Sequence, residues 1–239
     1  MDDACPRARR TSARGSATAV RFIRGPLALA LACIAVLSGC GGDDNGTSPA
    51  SLKSDLIPPS QFPDFTKVAR SFEWDNPIDF AVEGLMLPEA TPPSDGVKAM
   101  EDASFDAAVG EHLLTAKGGA GPNGQVVVAQ FGSDGDAVDA LDYVRKEALK
   151  QPCFAACSVD AKEFTVAGIP GAKGVQQTPL PKPPPDAPPP FASYGIGFTI
   201  GPQFFLAVAG AAPGEIKKSQ VLDAAKALYD RNTKTDAAS

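Results

Sequence analysis

The chain has 239 residues, of which 22 are basic, 28 are acidic and 44% are hydrophobic, as expected of a globular protein with one core of ordinary size. Its formal net charge of −6 repels nucleic-acid phosphates, so we expect no nucleic-acid partner.

Residues 20–40 have the order of a secretory leader. A basic segment precedes an apolar stretch from Pro26 to Leu37, and small residues then lead into Cys40. Twelve helical residues reach about 18 Å, whereas the hydrocarbon core of a bilayer is about 30 Å thick. The apolar stretch is therefore too short to span a membrane comfortably, which favours a leader over an uncleaved anchor.

Leu37-Ser38-Gly39-Cys40 resembles the lipobox of bacterial lipoproteins at all four positions. The resemblance implies that residues 1–39 are a signal peptide and that the Cys40 thiol receives a diacylglycerol. It also implies localisation at the cell membrane, lipid-anchored on the extracytoplasmic face. Two acyl chains hold a protein far longer than one, since each buried methylene contributes about 0.8 kcal/mol. An ordinary signal peptide with a chance cysteine is the alternative. The compact leader from Val20 indicates a start there, with Met1 as the alternative.

Two cysteines remain downstream of the lipobox, Cys153 and Cys157. An even pair in an oxidising compartment predicts a structural disulfide between them. Their C-x-x-x-C spacing differs from the C-x-x-C of redox enzymes. Cβ atoms four residues apart on a helix are about 5–6 Å apart, too far for a disulfide, so we expect a turn here. Free thiols are the alternative, and we predict no redox or metal role.

Residues 40–61, the lipidated cysteine with a segment rich in glycine, serine, aspartate and proline, are predicted to be a disordered tether. A single domain is predicted over residues 62–232 and a disordered tail over 233–239. Four aromatic residues stand close together where the domain begins. We expect them to pack its N-terminal edge, and an aromatic platform for a ligand is the alternative. These residues are Phe62, Phe65, Phe72 and Trp74.

Hydrophobic periodicity predicts alternating strands and helices along the domain. The predicted strands are 78–88, 124–132, 162–170, 172–179, 191–200 and 203–211, and the predicted helices are 97–114, 134–151 and 215–232. Turn signals at Pro170-Gly171 and Gly201-Pro202 join the last four strands into two hairpins. We therefore predict an α+β fold, a mainly antiparallel sheet of about five to six strands packed with two to three helices. This order loosely resembles the PsbP/Mog1 type of sandwich found in some secreted lipoproteins, a likeness that implies no activity.

Residues 178–190 contain eight prolines among thirteen residues. Proline donates no hydrogen bond to a sheet ladder, so this segment is predicted to be a projecting polyproline II loop. We expect the loop to act as a stiff spacer between strands. The PxxP match from Pro185 to Pro188 raises the alternative that it docks into an aromatic groove.

No motif predicts catalytic, cofactor-binding or metal-binding residues. The glycine pattern from Gly119 to Gly124 precedes a strand, whereas a nucleotide-binding loop follows one. Asp134 and Asp136 begin like a calcium loop, but the later ligand positions fail, so they are predicted to start a helix. His112 is the chain's one histidine and is predicted to be a partly exposed helical residue.

These observations predict a lipid-anchored cell-envelope protein that is not an enzyme and acts as a binding or structural module. Two alternatives stay open. One is a carrier for a lipid or small ligand, held between sheet and helices, and the other is an envelope hydrolase that uses His112. The expected partners are the membrane, through Cys40, and an envelope protein or a small apolar ligand.

Overall fold

The computed structural model describes residues 46–85, 93–118, 121–150, 159–180 and 191–236. The chain divides into two compact units, Met1–Asp43 and Asp44–Ser239, and every described residue belongs to the second.

One antiparallel sheet organises the described part of the chain. Its seven strands are Phe65–Trp74 (β1), Phe105–Thr115 (β2), Asn123–Phe131 (β3), Val159–Phe164 (β4), Lys173–Pro179 (β5), Ala192–Ile200 (β6) and Gln203–Ala211 (β7). They are ordered β1-β2-β3-β7-β6-β5-β4, and every neighbouring pair is antiparallel. The α+β class and the antiparallel sheet are confirmed, with more strands than the five or six predicted.

The strand order is that of two meanders joined at the centre of the sheet. Strands β1, β2 and β3 form the first and β4 to β7 the second, and β3 pairs with β7. A helix carries the chain from the interior strand β3 to the edge strand β4. This connection places that helix over the second meander.

Helices cover both faces of the sheet. They are Pro49–Leu52 (α1), Pro77–Asp79 (α2), Pro93–Asp102 (α3), Asp134–Leu149 (α4) and Lys218–Asp236 (α5). One buried cluster joins α5 and the segment around α1 to one face, and a second joins α3 and α4 to the other. Strand β3 supplies Val126 and Val128 to the first cluster and Val127 and Ala129 to the second. Its continuous apolar run is thus explained by burial on both faces.

Helix α4 and the two hairpins form where local signals predict them. The side chain of Ser133 caps α4 by accepting a hydrogen bond from the Asp136 backbone N–H at 3.2 Å. Gly201 adopts φ +53° in the β6–β7 turn, a conformation that favours glycine. The buried face of α4 includes Ala137 and Leu141, whereas Val138 is 46% exposed.

The strand predicted over residues 78–88 is wrong in its described part. Residues 77–84 form α2 and a turn of π-helix over Phe80–Gly84. Asn76 starts this segment, since its side chain accepts a hydrogen bond from the Asp79 N–H at 2.9 Å and Pro77 follows it. The alternation of apolar residues had indicated a strand.

The helix predicted over residues 97–114 is also wrong beyond Asp102. Helix α3 ends at Asp102. Ser104 then adopts a left-handed φ of +50°, which a helix cannot contain, and β2 begins at the next residue. Strand β2 lies between β1 and β3, so pairing on both edges overrides the helical propensity of its alanines, leucines and glutamate. His112 consequently lies on a strand rather than on a helix.

Both predicted boundaries of the domain need correction. The predicted tether over 40–61 overlaps the fold, because Leu52, Leu56 and Ile57 are buried in the cluster beside α5. The backbone N–H of Thr47 donates to Asp106 Oδ2 at 2.7 Å. At the other end α5 continues to Asp236, which removes residues 233–236 from the predicted tail. In the N-terminal segment three apolar side chains pack into the core. The glycine, serine, aspartate and proline around them give the segment the composition of a disordered tether.

The N-terminal aromatic residues pack the edge of the sheet, as predicted. Phe62, Phe65 and Trp74 are at most 3% exposed. Phe72 stacks on Trp74 with ring centroids 5.3 Å apart. Strand β1, which carries Phe65, Phe72 and Trp74, was not predicted.

Candidate functional site

A pocket of about 100 Å³ lies between α4 and the sheet, over β5, β6 and β7. Apolar side chains form most of its wall: Leu141 and Val144 from α4, Val175 from β5, and Leu206 and Val208 from β7. Side chains two residues apart on a strand share a face, so these strand residues all point towards α4. The pocket is therefore an incompletely filled part of the layer between this helix and the sheet.

Two glycines of β6 shape the layer between α4 and the sheet. Gly195 and Gly197 lie on the face that α4 covers, where longer side chains would fill the layer. A Cβ atom on Gly197 would lie 2.6 Å from Leu141 Cδ1, so this glycine admits the helix. A Cβ on Gly195 would contact a single described atom within 4 Å, Val208 Cγ2 at 3.4 Å. Gly195 therefore borders open space.

The end of the pocket near the C-terminus of α4 is polar. Gln177 Nε2 donates to the carbonyl oxygen of Ala148 at 3.1 Å, and Ser193 Oγ donates to Gln177 Oε1 at 3.0 Å. Helix C-termini leave carbonyl oxygens without intrahelical partners, and this contact satisfies one of them. The Gln177 side chain thus joins α4 to β5 and β6.

Two cationic side chains, Arg145 and Lys173, line the pocket at its rim. Arg145 is 22% exposed, and its Nε lies 3.3 Å from Asp142 Oδ1 while its Nη1 pairs with Glu163. The hydrogen bond to Glu163 is the main reason that the pKa of Arg145 is raised above its ordinary value. Lys173 is exposed, and its ammonium group has no hydrogen bond or ion pair with any other residue that the structure describes.

His112 lies outside this pocket. In the sheet it is opposite Arg70 on β1 and Gln125 on β3. Gln125 is 3% exposed and donates to the Gly84 carbonyl at 3.2 Å, while its Oε1 has no hydrogen-bond partner. Within the described ranges no hydrogen bond links His112 to a serine or a carboxylate. A histidine-dependent hydrolase would need such a contact between the base and its nucleophile or orienting group.

Several predicted sites lie outside the described residues. These are the lipidation site Cys40, the disulfide pair Cys153 and Cys157, and the PxxP segment from Pro185 to Pro188. Asp134 and Asp136 lie at the start of α4, where the Ser133 hydroxyl donates to Asp136 Oδ2 at 2.8 Å. No group of three or more histidine, cysteine, aspartate or glutamate side chains that could hold a metal ion occurs in the described part of the chain.

The sequence contains one local signal for the pocket, the two glycines of β6. Glycine inside a strand weakens it and often marks the close approach of another group. Gly195 and Gly197 alternate within the predicted strand 191–200, which places both on one face. The other lining residues come from distant segments, and their proximity depends on strand order.

Comparison with known proteins gives little further information. No protein-family model and no curated protein matches the sequence. The crystal structure of the extracellular domain of PknH from Mycobacterium tuberculosis is similar at a TM-score of 0.48 and 11% identity, covering 79% of this chain and 98% of that domain. No helix in the described ranges has the length and apolar character needed to cross a membrane.

Proposed function

We propose that this chain is a lipid-anchored, extracytoplasmic binding module that is not an enzyme and holds a small apolar ligand in the pocket beneath α4. The observation that carries the proposal is the apolar pocket opened by Gly195. Glycine costs about 0.5–1 kcal/mol in a strand relative to alanine. Empty apolar space also lacks the dispersion contacts of a filled core. A ligand in the pocket would restore those contacts.

The leader supports the membrane part of the proposal. Five residues separate Cys40 from Gly46. The backbone N–H of the next residue, Thr47, donates a hydrogen bond to the Asp106 carboxylate of the domain. Five residues reach at most about 18 Å. A chain lipidated at Cys40 would therefore keep its domain close to the bilayer surface.

Substitution Cys40→Ser tests the anchor. We expect the variant to move from the membrane fraction to the soluble envelope or growth medium, because no acyl chain would be attached. Fractionation followed by intact-mass measurement checks this, and Cys33→Ser, upstream in the leader, is the control that should remain membrane-bound. A Cys40→Ser protein retained on membranes as firmly as the parent would contradict lipid anchoring.

Substitution Gly195→Val tests the pocket. The valine side chain occupies the space, so we expect binding of hexanol, a neutral apolar probe, to weaken at least about tenfold while stability is kept or raised. The larger stability is expected because valine favours strands and fills a void. The measurement is an NMR titration and a melting curve of the chain from residue 40 with Cys40→Ser, which contains both buried clusters.

Gly135→Ala is the matched control for the stabilising effect. Gly135 is exposed in the first turn of α4, and a Cβ there would approach only Ser133 Oγ, at 3.7 Å. This change should raise stability by helix propensity, up to about 1 kcal/mol, and leave hexanol binding unchanged. Equal hexanol affinity in the parent and in Gly195→Val, or chemical-shift changes located away from α4, would refute the pocket as the binding site.

A further inference from the structure

The charge at the pocket rim is uneven. Arg145 is flanked by two carboxylates, Asp142 and Glu163, which more than balance its single positive charge, so it offers no site for a further anion. Lys173 has no such partner among the described residues and points to the same face as Val175 and Gln177. Among the described residues, its ammonium group is thus the rim cation that has no ion pair.

The two ends of the pocket differ in polarity. Lys173 and Gln177 are four residues apart on β5, a separation of about 13 Å along an extended strand. The Gln177 end lies at the C-terminus of α4, where the helix dipole is negative and the Ala148 carbonyl is already bonded. A negatively charged group is therefore favoured at the Lys173 end and disfavoured at the Gln177 end.

We infer that the ligand is a small amphiphile with an apolar body and one carboxylate, which pairs with Lys173. This inference rests on the proposed binding function of the pocket. A cavity of about 150 Å³ holds benzene, so a pocket of about 100 Å³ suits a short acyl chain or part of one ring. The chain as a whole is negatively charged, so the attraction to Lys173 is local rather than long-range.

The test compares three probes that share one apolar chain: hexanoate, hexanol and hexylammonium. We expect the chain from residue 40 with Cys40→Ser to bind hexanoate most tightly and hexylammonium most weakly at pH 7. Lys173→Met keeps the aliphatic stem and removes the charge. It should weaken hexanoate binding about three- to fivefold, as expected for an exposed ion pair, and change hexanol binding by a clearly smaller factor.

Two controls separate the rim charge from general electrostatics. Lys67 is exposed on β1, at the opposite edge of the sheet, and Lys67→Met should change the affinity for none of the probes. Raising the salt concentration should reduce the advantage of hexanoate over hexanol in the parent but not in Lys173→Met.

The outcomes distinguish this inference from the function on which it rests. Hexanol binding that Gly195→Val abolishes, with hexanoate no tighter than hexanol, would keep the binding function and overturn the carboxylate. Equal loss of hexanoate and hexanol in Lys173→Met would overturn it as well, because the effect would then be structural. Binding of none of the three probes would refute the binding function itself.

Discussion

The two faces of strand β6 meet different surroundings. Towards α5 it presents Ile196 and Phe198, both fully buried, whereas towards α4 it presents Gly195 and Gly197. On the α5 face the ring of Phe198 stacks on Phe205 with centroids 5.0 Å apart. On the α4 face about 100 Å³ is unfilled. One strand therefore stabilises the fold through one face and leaves room for a ligand on the other.

The course of the chain explains why the two helices differ. Helix α5 follows the central strand β7 and lies over β6 and β7, where large side chains meet it. Helix α4 must connect β3 to the edge strand β4, so it spans the second meander and touches β3 to β7. The close approach at Gly197 and the gap at Gly195 lie two residues apart beneath this connection. A helix that spans several strands is well placed to cover a pocket without filling the layer.

The largest expected effect is the loss of folding stability in Phe198→Ala. This residue lies on the face of the sheet that α5 covers, called the packed face below. Phe198 is fully buried and contacts both Phe205 and Tyr229. Truncating a buried phenylalanine costs about 3–5 kcal/mol, since transfer free energy is lost and a cavity remains. Chemical denaturation of the chain from residue 40 with Cys40→Ser measures this loss. The change is opposite in sign to that expected for Gly195→Val, only three residues away.

Hexanol binding provides the control for Phe198→Ala. Because the substitution lies on the face away from α4, the folded fraction at low temperature should bind hexanol with the parent affinity. A loss below about 1 kcal/mol would show that the α5 face is not the more tightly packed one. A large loss of hexanol affinity in the folded protein would show that the two faces do not act independently.

The sequence predicted those elements whose signals are local. Helix α4 has its cap and first-turn aspartates, and the β6–β7 hairpin has Gly201 at its turn. Strand β2 was missed because its residues favour a helix and its strand character comes from pairing with β1 and β3. The segment around α1 was missed because Leu52, Leu56 and Ile57 are buried only by distant parts of the chain, α5 among them.

The candidate site was less predictable than the fold. Its two glycines were visible in the strand predicted over 191–200, but the partners that enclose them were not. Leu141 and Val208 are far apart in sequence and reach the pocket through helix placement and strand order. In the sequence Lys173 cannot be distinguished from other surface lysines. Its place at the pocket depends on the pairing of β5 with β6, which sets it opposite Gly197. A site that depends on tertiary packing leaves little local pattern.

The smallest expected effect concerns Glu111, a partly buried carboxylate on the face of the sheet that α5 covers. Glu111 lies on β2 opposite Val126, and directly opposite residues share a face, so it points to the α5 side. Burial raises the pKa of Glu111 above its ordinary value. The charged form is therefore less stable in the folded than in the unfolded chain, which lowers the stability of the folded chain at neutral pH.

Glu111→Gln should remove this cost. We expect a small rise in melting temperature at pH 7, because the ionised carboxylate is replaced by a neutral group of similar shape. The raised pKa of Glu111 also gives the pH range of the effect. At pH values below the ordinary glutamate pKa of about 4.3 the carboxyl is protonated in both the folded and the unfolded chain, so the stability difference should vanish there. Melting curves from pH 3 to pH 8 measure it, with Glu83→Gln as the control, because Glu83 is exposed and has no ion pair among the described residues. A stabilisation that persists unchanged at pH 3 would show that the charge of Glu111 is not its cause, and a destabilisation at pH 7 would show that the packed face accommodates the carboxylate.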